Sequence, residues 1–292
     1  IRDRVYQKGD GYSFGDYPKL TDSYKEGDLG TPNATWEKAK KFDVGLDMNF
    51  LNKFSFTIDY FLDKRYDQLV TREYIPLVIG IGFSPNNIAR TTNQGFDGQI
   101  SYQDRFGDFD FNTNLVFSYA KNRVDYKAEA QQKYPWLAAT GKSLNQPFGY
   151  KWIGYYTPED VAKIRAGASD APAAPYTDIP VQAGDLKYAD LNNDGTIDDY
   201  DKSAIGKPNL PSTTLGWSFG GYWRGFSFNV LFQGSFDYSF AINGTGIESF
   251  KSQFQPIHTS RWTLERYQNG EEIGFPRLTT NPSTCLLYTS DA

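Results

Sequence analysis

Apolar and polar residues alternate one for one over three long stretches of this chain. The clearest is Leu215 to Phe240, LGWSFGGYWRGFSFNVLFQGSFDYSF. From Phe226 onward, Phe226, Phe228, Val230, Phe232, Phe236, Tyr238 and Phe240 share one parity, and Ser227, Asn229, Gln233, Ser235, Asp237 and Ser239 share the other. A period of two is that of a β-strand. Ahead of it, Leu215, Trp217, Phe219 and Trp223 alternate with Gly216, Ser218, Gly220 and Tyr222. A two-residue turn at Arg224-Gly225 sets Trp223 opposite Phe226, so both apolar rows fall on one face.

Two further hairpins follow the same rule. Phe42, Val44, Leu46, Met48 and Phe50 run into the turn Leu51-Asn52-Lys53, and Phe54, Phe56, Ile58, Tyr60 and Leu62 run away from it. Phe96, Gly98, Ile100 and Tyr102 lead to a tight turn expected at Phe106-Gly107, followed by Phe109, Phe111, Thr113, Leu115, Phe117 and Tyr119. The hairpins are therefore expected near 42–62, 96–119 and 215–240. The second strand of the last one alternates for 15 residues, where globular strands typically run about 5–6. At about 3.3 Å per residue and a tilt of about 45°, it would rise roughly 35 Å, more than the ~25 Å apolar band of an outer-membrane barrel. The alternative is a sandwich strand covered by a second sheet.

Connection lengths separate these two readings. Turns within hairpins take two or three residues, whereas about 33 residues join the first hairpin to the second and about 95 join the second to the third. Outer-membrane barrels alternate short periplasmic turns with long extracellular loops in this way. The fold class is therefore all-β, part of a large antiparallel transmembrane β-barrel with long extracellular loops. Within the long loop, 120–214, Thr157 as N-cap, Pro158 at the first helical position and Glu159-Asp160 behind them predict a short surface helix. Residues 166–180 are a Pro/Ala/Gly linker.

Composition agrees with strands rather than helices. Aromatic residues make up 17% of the 292, with 22 Phe and 21 Tyr, against one Met and one Cys. Mean hydropathy is −0.58, and no run of 18 apolar residues offers a transmembrane helix. That test leaves a barrel untouched, because only alternate residues of its strands face lipid. A net charge of −5 without a basic patch argues against nucleic acid as a partner. The single Cys285 excludes an intrachain disulfide framework. His258 is the only histidine, which leaves little material for a His-based triad or metal cluster, so no catalytic residue is expected.

One segment carries metal chemistry. Asp190-Leu191-Asn192-Asn193-Asp194-Gly195-Thr196-Ile197-Asp198-Asp199-Tyr200-Asp201 has the spacing of an EF-hand loop. A hard cation needs six or more oxygens, and this spacing can wrap them around one point. Asp190, Asn192, Asp194 and Asp201 would bind through side chains, Thr196 through its carbonyl, and Asp198 directly or through water. Ca²⁺ in a structural role is the expected ion. An acidic loop of Asx-turns without metal is the alternative. Trp136, Trp152, Tyr155 and Tyr156 in the long loop could stack on sugar rings as substrate-binding residues, or pack the loop.

Several motifs in order then resemble one family. Gly184-Asp185-Leu186-Lys187-Tyr188, the run DLNNDGTIDDYDKSAIGKPNLP and the aromatic hairpin after it resemble the SusC/RagA-type TonB-dependent transporters. So do Trp36-Glu37, Asn93-Gln94-Gly95-Phe96-Asp97, Pro147-Phe148-Gly149-Tyr150, Gly154-Tyr155-Tyr156-Thr157-Pro158-Glu159-Asp160 and Pro276-Arg277-Leu278. Phe96-Asp97 departs from the small aliphatic residue and Glu usual there. The resemblance implies a 22-stranded outer-membrane barrel with an internal plug, importing glycans or peptides. It also implies energy from TonB through an N-terminal region outside this chain, and a SusD-like surface lipoprotein as partner. On this reading residues 1–282 are a partial barrel wall in contact with outer-membrane lipid, and 283–292 are a non-native tail. A secreted, Ca²⁺-stabilised carbohydrate-binding or glycosidase β-protein is the alternative, and a passive porin-like barrel a third.

Overall fold

The structure, a computed structural model, describes residues 6–13, 15, 20–73, 83–176, 179–241 and 255–279. The tail expected at 283–292 lies outside them. Two compact units divide the chain.

The first unit, drawn from 1–132, 138–144 and 211–237, is organised by six long strands, numbered here in chain order. They are β1 (Lys38–Phe50), β2 (Phe54–Val70), β3 (Asn86–Phe106), β4 (Phe109–Tyr126), β5 (Thr213–Trp223) and β6 (Phe226–Phe236). They form one antiparallel sheet in which each strand pairs with its neighbours in sequence. Short strand pairs, Tyr6–Lys8 with Tyr24–Glu26 and Tyr12–Ser13 with Leu20–Thr21, precede it.

The register carries the three apolar rows across the whole sheet. Met48 faces Phe56, Phe56 faces Ile100, Ile100 faces Leu115, Leu115 faces Trp217 and Trp217 faces Phe232. The next level reads Leu46, Ile58, Gly98, Phe117, Leu215 and Gly234. A one-residue slip in any pair would move a full row to the opposite face. The apolar side chains stay open: Phe42, Leu46 and Phe232 are 57%, 50% and 56% exposed. Cross-strand rings touch along this face, Phe54 to Tyr102 at 4.5 Å and Phe96 to Tyr119 at 5.4 Å between centroids. Trp217 donates its indole N–H to Thr113 Oγ1 at 2.9 Å, as a polar atom facing lipid requires. The other face is polar and bonded to itself, with Thr57 donating to Asp47 at 2.6 Å and Ser101 to Asn114 at 2.8 Å.

Three details differ from the sequence reading. β6 ends at Phe236, because Asp237 takes a left-handed φ of 61°; alternation continues to Phe240 but pairing does not. Eleven residues tilted by about 45° still rise roughly 26 Å, enough for the band. The middle hairpin turns at Gly107-Asp108, one residue later than expected, with Phe106 opposite Phe109 and Gly107 at φ 63°. Its strands also extend well past the expected 96–119, back to Asn86 and on to Tyr126. These extensions read as loop in the sequence because they are polar: a strand that has risen past the apolar band has no reason to alternate. The turn Arg224-Gly225 falls where expected, at φ 44° and 94°.

Short turns lie at one end of the sheet. The long connections, 71–85 and 127–212, leave from the strand ends at the other.

Candidate functional site

The second unit, drawn from 133–137, 145–210 and 238–292, holds most of the residues singled out for binding. Helix α1 (Pro158–Ala166) forms as the sequence predicts. Thr157 Oγ1 accepts from the Asp160 N–H at 3.1 Å, Asp160 Oδ2 accepts from the Thr157 N–H at 3.2 Å, and Gly167 closes the far end at φ 63°. Burial works against the Asp160 carboxylate, but Lys187 Nζ at 3.0 Å and the Thr157 N–H outweigh it and hold its pKa below the ordinary value.

Two small cores hold this unit together, the first of them including the helix residue Val161. One is Tyr156, Val161 and Val181; the other is Leu186, Tyr188 and Ile197. Tyr156 is fully buried and donates its hydroxyl to the Ala173 carbonyl at 2.5 Å. Burial, with Asp160 and Asp185 nearby, raises its pKa. It therefore packs the unit, the second of the two roles weighed for this residue. Trp152 remains 39% exposed with its ring 5.5 Å from Tyr155, edge to face, and Tyr155 is half-buried. Trp136 stacks on Tyr134 at 4.6 Å and donates to the Tyr200 carbonyl at 2.7 Å. It also lines a cleft of about 480 Å³ with Lys151, Leu191, Ser203 and Ile205. His258 is buried in a short 3-10 turn, where its Nδ1 accepts from the Gln255 N–H.

The acidic loop is built from Asx-turns. Asp190 accepts from the N–H groups of Asp194 (3.3 Å) and Gly195 (2.8 Å), and Asp194 from Thr196 at 2.9 Å. Asn192 bridges to Asp194 at 2.7 Å, and Asp198 accepts from Tyr200 at 2.8 Å. Asp201 is fully buried, with its two oxygens accepting from Leu191 and Asp198. Asn193 and Gly195 take φ of 57° and 82°, which closes the sharp turn. The donor set suits a hard cation. Among the described residues, however, no three carboxylate, His or Cys side chains already converge on a common point. The Asp190 and Asp194 oxygens accept backbone N–H groups here and keep further lone pairs.

A buried ion pair that sequence reasoning did not connect joins two motifs 92 residues apart. Asp185 is fully buried; Arg277 Nε donates to its Oδ1 at 2.5 Å, and the Gln182 N–H donates to its Oδ2 at 2.8 Å. The Arg277 N–H also donates to the Gly184 carbonyl at 3.0 Å. Burial raises the Asp185 pKa above its ordinary value, and Gln182 and Arg277 offset only part of that. Gly184, at φ 91°, lies so close under Trp262 that an added Cβ would come within 2.6 Å of the indole. The signal was present, since both Gly184-Asp185 and Pro276-Arg277 stood out, but nothing in the spacing linked them.

An antiparallel sheet with one continuous apolar face, short turns joining its strands at one end and long connections leaving the other defines a wall segment of an outer-membrane β-barrel. Residues 5–231 match the family described as TonB dependent receptor-like, beta-barrel. The chain belongs to that family, which places it in the outer membrane and among receptors rather than enzymes. It is 27% identical over 226 residues to TonB-dependent receptor P3 of Formosa agariphila, covering 71% of this chain and 21% of that protein. TonB-dependent receptor P26 of the same organism is 24% identical over 255 residues, covering 84% and 23%. The chain thus spans about a fifth of the length of these curated relatives. Among solved structures, the RagAB peptide transporter aligns over 97% of this chain and 29% of its own, with a TM-score of 0.65 at 17% identity. The RagAB peptide importer in its "closed-closed" state aligns over 95% and 30%, with a TM-score of 0.61 at 16% identity. These structures share the fold.

Proposed function

We propose that this chain forms part of an active importer of SusC/RagA type, driven by TonB and working with a SusD-like surface lipoprotein to take up large nutrients. The observation that carries the reading is the sheet, whose single apolar face and asymmetric connections suit a transporter wall with binding elements on the outer side. The relatives named TonB-dependent receptors support the energy source. The neighbours named RagAB peptide importers favour peptides over glycans as cargo, and a two-component assembly. Trp136, Trp152 and Tyr155 are the aromatic groups available to a ligand on the loop unit.

The test is uptake of a fluorescent oligopeptide by cells expressing the intact receptor with its neighbouring lipoprotein. Uptake should vanish when TonB is deleted or the proton gradient is collapsed. Uptake that persists without TonB would point to the passive porin-like alternative.

The proposal extends to Ca²⁺ in the 190–201 loop, supported by its EF-hand spacing, its left-handed Asn193 and Gly195, and its oxygen-only donor set. Thermal unfolding of the loop unit should shift upward in Ca²⁺ and downward in chelator. An Asp190→Asn/Asp194→Asn variant should abolish that difference. No shift in wild type would leave a metal-free Asx-turn loop.

A further inference from the structure

We propose that the lipid-side wall carries a binding site for the phosphorylated headgroup of an outer-leaflet lipid, just above the apolar band. The proposal rests on the outer-membrane reading and on the long connections marking the outer side. The site follows from parity. Lys40 lies two residues beyond Phe42, and Lys64 two beyond Leu62, so both project from the face that bears the apolar rows. In register, Lys40 faces Lys64 directly, Lys64 faces Thr92, and Thr92 faces Arg123. The level below is Phe42, Leu62, Gln94 and Lys121. On β1 and β2 the face therefore changes from apolar to cationic within about 7 Å of strand.

Two like charges directly opposite each other across strands destabilise a sheet. Lys40 and Lys64 are such a pair. Lys38 is taken by Asp67 at 2.7 Å, and Arg123 by Asp125 at 2.8 Å. Among the described residues no carboxylate pairs with Lys40, Lys64 or Arg90. These three line a groove of about 620 Å³ on the first unit, together with Tyr66 and Tyr126 and with Asp67 and Asp125, the two carboxylates already engaged by Lys38 and Arg123. The tyrosine rings sit as an interfacial belt would. Lys40 Nζ is 5.8 Å from the Tyr66 centroid, and Arg90 Cζ is 5.6 Å from that of Tyr126. A phosphate between Lys40 and Lys64 would relieve their repulsion while its acyl chains lie along Phe42 and Leu62. Basic residues at a membrane surface select anionic headgroups in this manner.

The test is retention of diphosphoryl lipid A by the intact receptor reconstituted in nanodiscs, against the same lipid stripped of phosphate, titrated at fixed total lipid. Lys40→Gln/Lys64→Gln should weaken binding to the diphosphoryl form by about fivefold per charge removed, roughly 25-fold in all. Wild type should bind the stripped lipid no better than the variant does. Lys40→Arg/Lys64→Arg should retain binding, and Lys163→Gln, on α1, should not affect it. Equal binding by wild type and the Gln variant, or indifference to the phosphates, overturns the proposal. So does displacement of the lipid by inorganic phosphate at matching concentration, which would mark a free-anion site. Fractionation of the folded receptor away from the outer membrane would overturn the membrane reading, and this proposal with it. A membrane-embedded receptor indifferent to headgroup overturns this proposal alone.

Discussion

Replacing Arg277 by Met should loosen the loop unit far more than a typical surface change. In wild type, Asp185 is fully buried and held by Arg277 and the Gln182 N–H. Removing the guanidinium leaves a buried carboxylate with one N–H donor and no countercharge, a loss that typically costs about 3–5 kcal/mol. Replacing both partners, Asp185→Leu with Arg277→Met, removes the stranded charge and is expected to recover most of that loss. The assay is amide exchange of Gly184, whose N–H donates to the Tyr156 carbonyl at 2.8 Å. Exchange should accelerate more than about 100-fold in the single variant and far less in the double. The pH dependence fixes the mechanism. Burial raises the Asp185 pKa, so its charged form is a penalty on the folded state at neutral pH. That penalty is relieved as pH falls through the raised folded pKa toward the ordinary carboxylate value. Without Arg277 the penalty is larger, so the deficit of Arg277→Met should shrink on acidification through that window. A deficit that is constant or grows with acid would refute the buried-charge reasoning, as would a double variant no better than the single.

Three further outcomes are expected. Gly184→Ala places a Cβ against Trp262 at a left-handed φ of 91° and should destabilise the unit by about 1–3 kcal/mol, read from Trp fluorescence during urea unfolding. Thr157→Ala removes the acceptor for the Asp160 N–H and should cost α1 about 1 kcal/mol, seen as faster exchange in its first turn. Leu46→Arg, mid-row on the lipid side between Phe42 and Phe50, should cost roughly 2–4 kcal/mol in vesicle-based unfolding, whereas Asn49→Arg on the opposite face should cost far less.

The strand parity, the common apolar face and the asymmetry of turns and loops were all determined by the sequence, because a period of two and a turn residue such as Gly225 are local properties. The same holds for α1, whose cap and first turn lie within four residues of each other. Where strands end was only half legible. Asp237 stops β6 through a backbone angle that alternation does not encode, and the polar reaches of β3 and β4 beyond the band pair without any apolar pattern. Roles within the loop unit were decided by tertiary structure alone. Tyr155 and Tyr156 are adjacent and chemically alike, yet packing buries the second and leaves the first half-open. The acidic loop has ion-binding spacing, but its oxygens close backbone turns that a spacing count does not show. Asp185 meets Arg277 and Lys40 meets Lys64 only because folding carries them together, and the burial or repulsion at each contact depends on surroundings that no local stretch of chain contains.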